Sequence, residues 1–179
     1  MTTTEATGLV AGTWAIDPSH SEVGFTVRHL MSKVRGQFER FEGTLTTGET
    51  LADTRAQATI DLTSINTREP KRDEHLRSSD FFDVEQHGSM SFTTKSFDGS
   101  TAVGDLSIKG VTREVTLDVE FLGADKDPWG GTRLGFEAST QISRKDFGVD
   151  FNVPLEGDKV MIGDKINITI AVEAVLQEG

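Results

Sequence analysis

Four histidines, His20, His29, His75 and His87, are the side chains of this 179-residue chain best suited to proton transfer or ligation, and there is no cysteine. No two of the histidines are spaced i,i+2 on a strand or i,i+4 on a helix, the separations that bring two imidazoles to one metal ion. The lack of cysteine removes thiolate nucleophiles, disulfides and zinc ribbons together. No serine occupies a Gly-x-Ser-x-Gly elbow, and no glycine-rich turn joins a strand to a helix as phosphate binding requires. Asp125-Lys126-Asp127-Pro128-Trp129-Gly130 begins like a calcium loop but has Trp129 at its fifth position and Phe136 at its twelfth. The carboxylates Asp146, Asp150, Glu156, Asp158 and Asp164 are scattered over loops and polar faces and read as a solvated acidic surface. Neither a catalytic residue nor a metal or cofactor is expected from these patterns.

Among the histidines, His29 stands out because it shares its parity with Val23, Phe25 and Val27. If that face lines an interior, an imidazole projects into an apolar cavity and could bond a ligand's polar group. It reads equally as a strand-end histidine satisfied by a neighbour or by water. His20 lies in the turn Asp17-Pro18-Ser19-His20-Ser21, where Asp17 and Ser19 are expected to cap backbone amides. His75 falls on a helical segment, as surface or as a lid contact, and His87 beside Gly88 reads as loop.

The elements that position these residues are strands. Apolar and polar residues alternate from Val23 to His29, from Ala56 to Leu62 and from Val115 to Phe121. The pattern returns through Leu134, Phe136, Ala138 and Ile142, and through Ile166, Ile168, Ile170, Val172, Ala174 and Leu176. A period of two with one apolar face marks half-buried antiparallel strands. With Thr13–Asp17, Arg35–Thr46, Ser89–Phe97 and Ala102–Lys109, about nine strands are expected. In Arg35–Thr46 the phase changes between Phe38 and Phe41, which predicts a bulge near Glu39-Arg40. Asp98-Gly99 and Lys109-Gly110 read as hairpin turns. One helix is predicted, at Pro70–Arg77, with Pro70 at its first position and Asn66 or Thr67 as its cap. Long strands in hairpin order favour an all-β fold, an eight-stranded antiparallel barrel with one helical connection at about 66–80 near its mouth.

Composition narrows the partners. There are 18 Lys and Arg against 29 Asp and Glu, a net charge of −11, so clustered cations for a nucleic-acid backbone are not expected. The same charge argues against electrostatic docking on an anionic membrane surface, and no run of roughly 20 apolar residues predicts a membrane span. Met1–Val10 has neither a basic start nor an apolar core, so a cytoplasmic location is expected. The aromatics are 11 Phe and 2 Trp with no Tyr, few hydrogen-bonding tips for an interior wall. The chain is read as a single domain, 1–179, with its core at about 12–176.

Along this frame, a set of short segments is similar to the YceI-like family. They are Trp14-Ala-Ile-Asp17-Pro-Ser-His20-Ser21, Phe25-Thr-Val-Arg28-His29, Gly36-Gln-Phe38 and Phe41-Glu-Gly43. Further on come Ser64-Ile-Asn-Thr67, Arg72-Asp73-Glu-His75-Leu76-Arg77-Ser-Ser-Asp80-Phe81-Phe82, and Gly104-Asp-Leu106-Ser-Ile108-Lys-Gly110-Val111-Thr112. Arg144-Lys-Asp146-Phe147-Gly148 and Gly163-Asp-Lys-Ile-Asn-Ile168 complete the order. The resemblance implies a lipocalin-like barrel that holds a polyisoprenoid or other long-chain lipid, in a family often periplasmic and sometimes dimeric, connected with isoprenoid quinones. The residues expected to touch the ligand are Phe25, Val27, His29 and Phe38 from the first strands, with Ile60 and Leu62 after them. Phe92, Leu106, Leu117, Phe136 and Ile168 are expected from the later strands, and Leu76, Phe81 and Phe82 from the helical lid. Two rival readings are an enzyme acting on a bound prenyl or fatty substrate, with His29 or His20 assisting proton transfer, and a haem barrel with one of them as axial ligand.

Overall fold

The computed structural model describes residues 9–155, 157 and 160–177. Residues 1–8, on which most of the leader expectation rests, lie outside this set, as do Glu156 and Asp158. Eleven strands, rather than about nine, form one antiparallel sheet: β1 (Gly12–Ile16), β2 (Glu22–His29), β3 (Ser32–Phe38), β4 (Phe41–Thr47), β5 (Arg55–Asp61), β6 (Ile65–Asn66), β7 (Ser89–Phe97), β8 (Thr101–Ile108), β9 (Val111–Lys126), β10 (Thr132–Ser143) and β11 (Ile162–Leu176). The larger number arises because three staves of the barrel are broken. β1 and β2 lie end to end along β11, β3 and β4 along them, and β5 and β6 along those. With β7 to β10 the sheet closes through β1–β11 as an antiparallel barrel of eight staves. Closure removes the exposed edges that an open sheet of this length would leave.

The phase change predicted near Glu39-Arg40 is one of these breaks. Phe38 and Phe41 both face the interior, on either side of it. The interrupted backbone is satisfied by the neighbouring stave, where Ser64 O accepts from Glu39 N–H and Ser64 Oγ from Arg40 N–H. Strand β9 carries a further irregularity, as the pairing passes from Gly135↔Gly123 to Phe136↔Phe121. The skipped Leu122 is thereby left exposed.

Toward one end of the barrel Trp14 is fully buried between Leu45 and Leu176, and its indole N–H donates to Thr47 Oγ1 at 2.9 Å. Helix α1 (Pro70–Arg77) crosses toward the other end. Its cap is Glu69, which accepts from Lys71 N–H at 3.1 Å, and not Asn66 or Thr67. Arg68 adopts φ +67° and turns the chain, so the helix begins later than the capping residues predicted for it. Thr67 instead donates both its N–H and its hydroxyl to the buried carboxylate of Asp73, at 2.9 and 2.5 Å, which ties the helix to β6.

A two-chambered apolar interior

Inward positions of the staves enclose two cavities. The first, of about 160 Å³, lies toward Trp14 and is walled by Ile60, Phe92, Leu106, Leu117 and Phe136 among other apolar side chains. Its polar lining consists of four threonines, Thr47, Thr54, Thr94 and Thr140. The second, of about 190 Å³, lies under α1 and is walled by Phe25, Val27, Phe38, Leu76, Phe81 and Phe82. Either volume exceeds by roughly tenfold the ~10–15 Å³ that one water requires. Val23, Met90 and Ile168 border both chambers and form a waist between them.

A glycine shapes the wall of the second chamber. A Cβ on Gly36 would meet the Phe25 ring and, at 2.9 Å, Thr67 Cγ2, so the bare backbone lets Phe25 lie across β3. The Phe25 ring packs on Phe38 at 5.6 Å, and Phe38 on Phe82 at 6.2 Å. Beyond them, His75 meets Phe81 and Phe151 edge-on, each at 5.0 Å, while its Nε2 bonds Asp80 at 2.9 Å. The His75 side chain borders the chamber and is 45% exposed, so it stands between the chamber and solvent.

Four nitrogen-bearing side chains border this second chamber, His29, Arg72, His75 and Arg144, and among the described residues no carboxylate borders either cavity. Arg144 is buried, and burial pushes its guanidinium below the ordinary value while Asp164 and Asp150 act in the opposite direction. It remains a cation, since arginine starts so far above neutrality. Its Nε and Nη1 donate to the backbone carbonyls of Gly163, Val149 and Phe151, at 3.0, 2.9 and 3.2 Å. Arg72 is held by Thr67, through Oγ1 at 2.8 Å and the carbonyl at 2.7 Å.

Thirteen of the fourteen residues expected to touch a ligand border a chamber, with Ile168 at the waist. Leu62 does not. It sits in the turn Leu62–Ser64 and is fully buried against Phe38, Ile60 and Ile65, because the stave breaks just before it and the alternation lapses. His29 borders the second chamber, whereas His20 lies on the outer surface with its side chain 54% exposed. Donor atoms of Asp17, His20 and Glu173 lie within 4.8 Å of one another. Arg133 reaches into this group, bonding Asp17 at 2.8 Å and Glu173 at 3.4 Å, and its single charge already offsets part of theirs. The alternation gave no sign of Arg72, Met90, Arg144 or Met161. Arg72 and Arg144 do fall within the motif-like segments, and that ordering was their one sequence signal.

Fold and lining together define a closed β-barrel with an apolar, two-chambered interior. The YceI-like domain family matches residues 14–174, and the chain belongs to that family. A UPF0312 protein of Staphylococcus aureus is 40% identical over 171 residues, covering 92% of this chain and 98% of its own. The crystal structure of the Campylobacter jejuni YCEI protein superposes with a TM-score of 0.70 at 32% identity, covering 90% of this chain and 96% of its own. A polyisoprenoid binding domain from Saccharophagus degradans, implicated in plant cell wall breakdown, shares the fold with a TM-score of 0.69 at 16% identity. That alignment covers 94% of this chain and the whole of the other.

Proposed function

We propose that the barrel binds one long-chain apolar lipid of the polyisoprenoid class and serves as its carrier or store. The observation that carries this reading is the interior itself, two adjoining chambers that share Val23, Met90 and Ile168 and whose walls are hydrocarbon apart from a few polar groups. Each buried CH₂ is worth roughly 0.8 kcal/mol before costs, and ordering a flexible chain offsets much of that gain. The tail crosses the waist at Val23, Met90 and Ile168 into the first chamber. The polar end stays in the second, beside His29, Arg72, His75 and Arg144, where the two guanidinium charges favour an anionic head. The shared fold of the Saccharophagus polyisoprenoid binding domain supports the ligand class.

Solvent extraction of protein purified from its natural host, followed by mass spectrometry, tests this reading by naming the occupant. A prenyl mass is expected. Added prenyl phosphate at about 100 times its Kd contributes about 2.7 kcal/mol, which for a chain of this size raises Tm by about 5–10 °C. The uncharged prenol gives a smaller rise. Native preparations free of apolar compounds, together with an unchanged Tm, would overturn the proposal.

A further inference from the structure

The net charge of −11 conceals one stretch of opposite character. Between Glu22 and Glu39 there is no acidic residue, and the β2–β3 hairpin in this stretch carries Arg28, Lys33 and Arg35. All three are exposed, and none has an acidic partner within ion-pair distance among the described residues. They lie on the outward face, since the intervening Val27, His29 and Val34 border the second chamber. Arg28 and Lys33 pair directly across the strands, and like charges at such positions destabilise a hairpin. Stability of the isolated fold does not account for them.

The tip between these cations is apolar. Leu30 is 51% exposed and Met31 fully so. Leu30 also adopts φ +54°, a conformation that glycine or asparagine ordinarily supplies in a hairpin turn. Its N–H donates to Met161 O at 2.8 Å, and Met161 N–H donates to Val153 O. This places Val153 and Val160, both partly exposed, on the loop beside the tip. Met161 and His29 border the second chamber, so the apolar tip is continuous with the cavity wall. Glu156 and Asp158 of the same loop lie outside the described residues, and the cationic character is that of the hairpin alone.

We propose that the β2–β3 hairpin docks on an anionic bilayer, Leu30 and Met31 entering the interface while Arg28, Lys33 and Arg35 contact lipid phosphates, so that lipid exchanges through the second chamber. Apolar residues flanked by cations form the usual signature of interfacial binding. Among the described residues, the opposite end of the barrel lacks this combination. Trp129 is exposed there, but its neighbours include Asp125 and Asp127, and Arg133 beneath it is already paired. The proposal rests on the lipid-binding reading for its purpose, though not for its geometry.

The test is flotation with vesicles of phosphatidylcholine, alone or mixed with phosphatidylglycerol. Binding is expected to the mixed vesicles and to weaken as salt rises. The Leu30→Ser, Met31→Ser double variant is expected to lose it. Replacing Arg28, Lys33 and Arg35 by Gln is expected to weaken binding by about fivefold per cation, roughly a hundredfold in all. Trp129→Ser is expected to bind as the parent does. Far-UV circular dichroism and Tm confirm that each variant folds. Absence of parent binding to the mixed vesicles overturns the proposal, as does undiminished binding by both hairpin variants. The Tm shift with dissolved prenyl phosphate reads the cavity separately. If vesicles bind and that shift is absent, the cavity reading fails while the docking surface stands.

Discussion

At the residue scale, Arg133 gathers three carboxylates, Asp17, Asp127 and Glu173, on the outside of the barrel. Asp17 accepts from Arg133, from the Ser19 hydroxyl and N–H, and pairs with His20. The Arg133 guanidinium first, then Ser19 and His20, hold the Asp17 carboxyl well below the usual carboxylate range. Asp127, bonded to the same Arg133 at 2.8 Å, is lowered by the same cation. A carboxylate whose folded value is depressed contributes stability above its unfolded pKa of about 4 and loses it as pH falls through the folded value. Tm is therefore expected to be level above about pH 5 and to fall steadily below pH 4. In Asp17→Asn the starting Tm is lower and the acid-side decline shallower, as thermal melts across pH would show. An equally steep decline in the variant would mean that Asp17 is not a main source of it. The turn containing Asp17 was legible in the sequence as a capping turn. Its partners Arg133 and Glu173 were not, because they come from β10 and β11, far along the chain.

At the element scale, alternation specifies which face of a strand is buried, and glycine specifies where a large ring lies flat on its neighbour. Gly24 and Gly36 pair with residues of adjacent strands, in β2 and β3. A Cβ at Gly24 meets only ordinary contacts at 3.5 Å, whereas one at Gly36 collides with Phe25 and Thr67. Gly36→Ala is expected to cost about 1–2 kcal/mol in chemical denaturation, to push Phe25 into the second chamber and to weaken ligand binding. Gly24→Ala is expected to be neutral or slightly stabilising. Equal behaviour of the two variants would remove the packing role assigned to Gly36. The broken staves show how far pattern alone reaches. The change of phase at Glu39-Arg40 was visible, but the matching break at Leu62–Ser64 was not, so Leu62 was placed in the interior. A break in one stave requires a partner for its backbone, and that partner is found only across the sheet.

At the scale of the whole molecule, the two chambers and their waist determine how far a chain can extend. Met90→Trp is expected to fill the waist and confine a ligand to the second chamber. Affinity for a long prenyl phosphate then falls by about tenfold or more, while that for farnesyl phosphate, a three-unit chain, stays near the parent's in titration calorimetry. Equal loss for both would place the binding surface elsewhere. The sequence by itself determined the strands, the single helix, the barrel class and an interior of hydrocarbon, because a period of two and the choice of apolar residues are local properties. Tertiary structure alone decided that β1–β2, β3–β4 and β5–β6 line up end to end as single staves, that Val23, Met90 and Ile168 divide the interior, and that Arg72 and Arg144 join His29 and His75 around one chamber. Those features depend on register and closure, which bring distant residues together. The same holds for charge. A sum over the chain gives −11 and argues against an anionic surface, whereas folding sets three cations, without ion-pair partners among the described residues, on one hairpin beside the cavity.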